Sequence, residues 1–550
     1  VQHANFCNNQ SSSQSSSSSS QSAGQILYNL LHVFSPVGEI LDAPVDIITI
    51  DPLPCARHTI LSHLPRIISA LLALWEATGT AEYASFILGS RRAVRQHIVE
   101  LLSPICHHHT PHLLAAVSVV WQAVGVVQSK GVDVCSSNGL SISSEGSRNR
   151  RGSGGSFVKP SGVGGLLWSG GSLQLALVEM MSLLRVLPLH TLVATVKQVV
   201  KQPPVVEGAK QTLPLEVCVL QFFYVYVQQS PPNQLGECWE PLLSLGREGP
   251  ISLSPPAQLV LLATLNEFVQ RAPPLEEKKD IKELQEVTGR LLESCSNIAG
   301  SCLEATTWLR RNLTVKTDAV DKKDDIKDAS RYSVAALSVL AELLAPLLDV
   351  LYVSEEKEKV VPMLTNIMAH VIPYLKNHYL QNMSAFMACS QLLSALAGYQ
   401  YTMRAWRRDV LDLLLDSQAF CMLPNILPYW RTIVDYLCTH DKTVFKELLS
   451  KVSMSQGGSL NLFHSKESEY ELRAGLLKRL AFVIFCSETD QYIRHIPDIQ
   501  ETKLLKLNQM MKKMLLTLLM CWCVSYMRLP PRRWVRRWCM IILEMERQFI

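Results

Sequence analysis

Residues 333–352 read SVAALSVLAELLAPLLDVLY. Val334, Leu337, Ala341, Leu344, Leu348 and Leu351 step by three and four, a heptad seam that predicts one helix. Leu340, Leu343, Leu347 and Val350 form a second stripe beside it, and Pro346 falls inside the run. A helix that is apolar on two faces needs two neighbours, one in its hairpin and one along a stack, as in HEAT and armadillo arrays. A leucine zipper is the competing reading. Coiled-coil seams keep positions outside a and d polar, continue for three or more heptads and avoid Pro. This run is shorter, contains Pro346 and carries Leu at extra positions, so packing in a core is the better reading.

The same pattern extends in both directions. Downstream lie Val360, Leu364, Ile367, Val371 and Leu375; then Met383 to Leu396; then Trp406, Val410, Leu413 and Leu414; then Ile433 and Leu437; then Phe445, Leu448 and Val452; and last Leu476, Leu480 and Val483. Upstream, Pro203-Pro204, Pro231-Pro232, Pro255-Pro256 and Pro273-Pro274 punctuate apolar runs such as Leu213 to Gln228 and Ala257 to Gln270. Each pair fixes φ and lacks backbone donors, so it ends one helix and restarts the next at a new angle. Strand alternation of useful length is missing, and no fixed repeat period links the units. The expected fold is all-α: an irregular HEAT/armadillo-like α-solenoid of stacked antiparallel helices, with a disordered insert and disordered terminal tails.

The 550 residues exceed one compact core. A Ser/Gln tract (1–24) buries too little apolar surface to order itself. A helical segment follows (25–129), then a Ser/Gly-rich linker (130–165), the α-solenoid (166–500) and a basic tail (501–550) of divergent composition. Residues 503–550 hold ten Lys or Arg against Glu544 and Glu546, while the whole chain has a net charge of only +4. The body is therefore mildly acidic, and nucleic acid, which needs clustered cations to displace counterions, is not an expected ligand. Fifteen Cys are scattered through apolar runs without a Cys-x-x-Cys pair, as expected of buried thiols in a reducing compartment. No uninterrupted apolar stretch of about eighteen residues is present, so no transmembrane segment is expected. The chain begins at Val1 without Met and reads as a fragment.

Catalytic or metal-binding sets do not stand out. Cys106, His107, His108, His109 and His112 are adjacent, yet three consecutive His cannot face one point on a helix, and no second ligand pair at zinc spacing follows. A polar corner after Pro104 explains them better. The Lys/Asp run at 316–330 lacks the Gly and closing Glu of a calcium loop. Phosphate-binding Gly loops and nucleophile elbows are absent, so the chain is expected not to be an enzyme, and no cofactor is expected. Asn312 and Asn382 head glycosylation triplets of a kind that arises by chance. The better candidates are Arg-aromatic clusters: Trp308 with Arg310 and Arg311, and Arg404, Trp406, Arg407 and Arg408 beside Tyr399 and Tyr401. Arg and aromatics concentrate at protein interfaces and also meet acidic lipid headgroups. The bland alternative is a loop packed between helices, with Trp buried and Arg solvated.

Several longer blocks are specific: LEVCVLQFFYVYVQ (215–228), IAGSCLEATTWLRRNL (298–313), EEKEKVVPMLTNIMAHVIPYLKNH (355–378), ACSQLLSALAGYQYTMRAWRRDVLDL (388–413), THDKTVFKELLSKV (439–452), GGSLNLF (457–463) and LLKRLAFVIFCSETDQY (476–492). Together they resemble the carboxy-terminal region of the Dopey family of large trafficking proteins. Weaker similarity lies in VRQHIVELLSPI (94–105) and TVKQVVKQPP (195–204). The resemblance implies a non-catalytic scaffold or adaptor, peripheral on the cytosolic face of Golgi (trans-Golgi network) and endosome membranes, acting in transport between them. Implied partners are a large Arf-exchange-factor-like Golgi scaffold and a phospholipid flippase, with conventional kinesin and phosphatidylinositol 4-phosphate for animal members. The alternative it leaves open is a phosphoinositide-binding peripheral protein that links Golgi membranes to a motor. The likeness stops near Glu501. A frame error or retained intron would give such a tail; alternatively Lys512, Lys513, Arg532, Arg533, Trp534, Arg536, Arg537 and Trp538 make it a membrane-surface helix.

Overall fold

Prolines set where many of the helices begin and end. The computed structural model describes residues 60–78, 88–135, 171–184, 188–206, 213–305, 329–377, 382–415 and 424–454, with Arg479, Phe482, Val483 and Cys486 beyond them. The Ser/Gln tract, most of the Ser/Gly stretch, the tail at 501–550, and Trp308, Arg310 and Arg311 lie outside the described residues. Among those described the chain is all-α, with short 3-10 turns and no strand. Pro188 and Pro214 are N-caps, Pro232 and Pro255 occupy first-turn positions, and Pro203-Pro204 and Pro273-Pro274 follow helix ends. That is where a missing N–H is harmless.

Packing divides the chain into two units, one containing residues up to Val339 plus Pro346–Val353, the other Leu340–Ala345 plus Ser354 onward. The first holds α1 (Leu64–Ala77), α2 (Leu88–His108), α3 (Thr110–Cys135), α4 (Ser172–Ser182), α5 (Leu189–Lys201), α6 (Leu215–Gln229), α7 (Trp239–Ser252), α8 (Pro255–Arg271) and α9 (Lys278–Ala305). Next comes α10 (Ser333–Leu351), which gives residues to both units. Helix α3 continues to Cys135, past Lys130 where the sequence reading starts its linker.

Within the first unit α2 meets its immediate neighbours α1 and α3, while later helices pack on the helix two or three places along, which makes two rows: α5, α7 and α9 in one, α3, α6 and α8 in the other. Side chains show the direction. Glu216, in the first turn of α6, accepts the Ser254 amide at the start of α8 (3.0 Å). At the opposite end Arg271 of α8 donates to the Val227 and Ser230 carbonyls that end α6 (2.7 Å each). Neighbours within a row are therefore parallel. Between rows they are antiparallel: α8 and α9 follow each other through a short corner and pack together, with the Ser294 hydroxyl of α9 donating to Gln258 of α8 at 2.5 Å. This is stacking of the irregular HEAT/armadillo type that the doubled leucine stripes predict.

Helix α6 is buried at every position from Val217 to Val227, and α8 from Pro256 to Leu265. Such helices are covered on all faces, so they lack the polar stripe of a surface helix. In α10 the seam residues Leu337, Ala341, Leu344, Leu348 and Leu351 and the second-stripe residues Leu340, Leu343 and Leu347 are all buried. Only the outermost valines, Val334 and Val350, reach solvent. Ser333 donates to the Ala299 carbonyl (2.6 Å), and Gln285 donates to Leu351 (3.1 Å), which ties both ends of α10 to α9. Each buried Leu contributes about 2 kcal/mol, against about 3 kcal/mol for the interior Pro346. Packing outweighs the break.

Helix Ala329–Leu351, counted with its 3-10 lead-in, is long and apolar enough to cross a bilayer, and it is the one such helix among the described residues. Glu342 and Asp349 interrupt the apolar run, so a count of consecutive apolar residues passes over it. In the structure 67% of its apolar window is buried within the protein, as in the core helix of a stacked array.

The second unit holds α11 (Val361–Leu375), α12 (Met383–Ala397), α13 (Met403–Leu415), α14 (Leu427–His440) and α15 (Val444–Met454). Again α11 packs on α13 and α12 on α14. Trp430 of α14 donates to Ser390 of α12 at 3.1 Å, deep between them. Arg479, Phe482, Val483 and Cys486 are buried at helical spacing. The Arg479 guanidinium donates to the Leu415 carbonyl and so caps the end of α13.

Candidate interaction surface

The corner between α12 and α13 is built around Thr402. Tyr399 is extended after the helix ends, and a 3-10 turn at Gln400–Thr402 leads into α13. The Thr402 hydroxyl, fully buried, donates toward the Leu396 (2.7 Å) and Tyr399 (2.8 Å) carbonyls. It also accepts the Trp406 indole N–H at 3.0 Å, one helical turn on. Trp406 is fully buried with Val410, Leu413 and Leu414, so it belongs to the core and not to a contact surface. Its periodicity required this.

The three arginines of the cluster part company. Arg407 is three-quarters covered and donates through Nε to Asp441 and through Nη2 to Glu447 (2.7 Å) and Thr443 (3.2 Å). Asp441 in turn accepts the Thr443 amide (2.8 Å) and hydroxyl (2.6 Å), a turn that starts α15. Burial works to raise the Asp441 carboxyl, but the Thr443 hydrogen bonds and the Arg407 guanidinium outweigh it and hold the group below its ordinary 3.8. Burial likewise works against the Arg407 charge, and its two acids more than compensate. Arg407 is thus an internal staple between α13 and the α14–α15 corner.

Arg404 and Arg408 point outward. Arg404 meets Glu358 at 2.8 Å, but both side chains are mostly exposed (72% and 78%), so the pair is solvated and weak. Arg408 is exposed and makes no hydrogen bond or ion pair among the described residues. Beside them the Lys357 ammonium lies 4.9 Å above the Tyr401 ring, and Tyr401 packs edge-on against Tyr399 at 6.0 Å. The surface here is therefore the exposed Glu358, Arg404 and Arg408 with the half-buried Lys357, Tyr399 and Tyr401 beside them; Lys357 and Glu358 come from the 3-10 turn Ser354–Val360. Lys357 and Glu358 were not singled out by sequence, because charged turns are usually only solvated. Asp441 and Thr443 carried a signal: Asp-x-Thr just before an apolar run is a helix-start pattern.

The other polar clusters have structural uses. Helix α2 runs through Pro104, and the chain turns only at His109. Cys106 is buried, which pushes its thiol up to about 11, while His107 and His108 are exposed and the His109 and His112 rings meet edge-on at 6.1 Å. No three His, Cys, Asp or Glu among the described residues are gathered as a metal ion needs. Cys218 and Cys295 are pushed to about 12 by burial. The Asn382 amide donates to the Tyr374 (2.9 Å) and Asn377 (2.6 Å) carbonyls, capping α11, so its nitrogen is turned inward.

Stacked helices that bury their apolar stripes against one another, as in each of the two units, define the class of helical-repeat proteins. Comparison with known sequences makes this specific. The family model for the DOP1 C-terminal region matches residues 225–550, and the chain belongs to the DOP1, or Dopey, family. It is 44% identical over 536 residues to the Protein DOP1 homolog of Drosophila melanogaster, covering 96% of this chain and 19% of that protein. To the Protein DOP1B of Xenopus laevis it is 36% identical, over 90% of this chain and 22% of the relative. To the Protein pad-1 of Caenorhabditis elegans it is 28% identical, over 89% and 23%. The chain spans about a fifth of the length of these relatives. The family match runs through residue 550, so it takes in the basic tail whose composition had set it apart.

Proposed function

We propose that the chain is part of a non-catalytic scaffold or adaptor in membrane traffic between Golgi and endosomes, working through protein contacts on the cytosolic membrane face. Peripheral attachment to trans-Golgi network and endosome membranes belongs to this reading. So do a large Arf-exchange-factor-like Golgi scaffold and a phospholipid flippase as partners. The observation that carries it is the use of the leucine stripes: they are buried inside the array, and the helix ends and corners are left as a surface for contact. Membership of the Dopey family supports the direction of the proposal.

A second reading is supported by Arg408, an exposed cation without a partner among the described residues, next to the weakly held Arg404. In it the corner binds a phosphoinositide headgroup such as phosphatidylinositol 4-phosphate, and the protein links Golgi membranes to conventional kinesin. Trp406 and Arg407 take no part, since one is core and the other is neutralised by Asp441 and Glu447. The full-length protein with Arg404→Glu and Arg408→Glu separates the two readings. Loss of partner co-precipitation, with flotation on phosphatidylinositol 4-phosphate vesicles unchanged, is the expected result. Loss of flotation alone would favour the lipid reading. Retention of both activities would remove this corner from either.

A further inference from the structure

We draw no further inference here: the strongest candidate, the apolar lip formed by the exposed Val205 and Ile251 at the C-terminal ends of the neighbouring helices α5 and α7, carries nothing because nothing in the structure shows what covers it.

Discussion

Trp406, Arg407 and Arg408 are consecutive, yet each meets a different environment. Helical spacing turns Trp406 inward with Val410 and leaves Arg408 in water, and both outcomes were legible from RAWRRDVLDLL. The fate of Arg407 was not, because its acids lie 34 and 40 residues further on, beyond the reach of local periodicity. Trp406→Ala should destabilise the unit by about 4 kcal/mol through loss of a fully buried ring, whereas Arg408→Glu should change stability by less than about 0.5 kcal/mol. Urea denaturation of the two variants checks this, and similar midpoints for both would contradict the placement of Trp406. Asp441 gives a pH dependence of definite sign. Its folded value is depressed below the unfolded value of about 3.9. Its contribution is therefore complete above that value and is lost as pH falls through the folded one. Stability measured from pH 5 downward should fall more steeply in the parent than in Asp441→Asn; equal slopes would mean that Asp441 is not depressed.

Helix–helix contact depends on positions where little room is left. A Cβ on Gly246 of α7 would lie 2.6 Å from Val287 Cγ1 of α9, closer than side chains approach. Replacement of Gly by Ala in a helix gains about 1 kcal/mol of propensity, while overpacking costs about 1–3 kcal/mol. Gly246→Ala should thus be destabilising overall, and it should turn stabilising when Val287 is already Ala. A double-mutant cycle by denaturation reads that reversal directly; additive effects would show that the two helices do not meet there. Interior prolines followed the same economy of space. Their disruption was visible in sequence, but the helices run through Pro104, Pro250, Pro346 and Pro373 because surrounding contacts exceed the lost hydrogen bond. Capping across helices by Arg271, Arg479 and Asn382 was illegible for another reason: the acceptor carbonyls belong to other turns of the array or to other helices.

At the scale of the molecule, the all-α class followed from doubled apolar stripes and proline corners, since both express stacking and need only local sequence. Pairing between rows did not, because no fixed period records which helix meets which. Helix α6 brings out the practical side of this. The family match opens at residue 225, ten residues into a helix that is enclosed on every side by α3, α5 and α8. Phe222 and Phe223, both fully buried, fall on the far side of that border. A fragment of residues 225–550 should accordingly aggregate or melt without cooperativity, whereas one of residues 60–550 should give a sharp thermal transition; equally sharp melting of both would show that the shorter piece is autonomous. The edge of the family match and the edge of the packed core are displaced from each other. Expression plasmids, deletion alleles and disease-variant maps drawn to the former will bisect a core strut and mistake misfolding for lost binding.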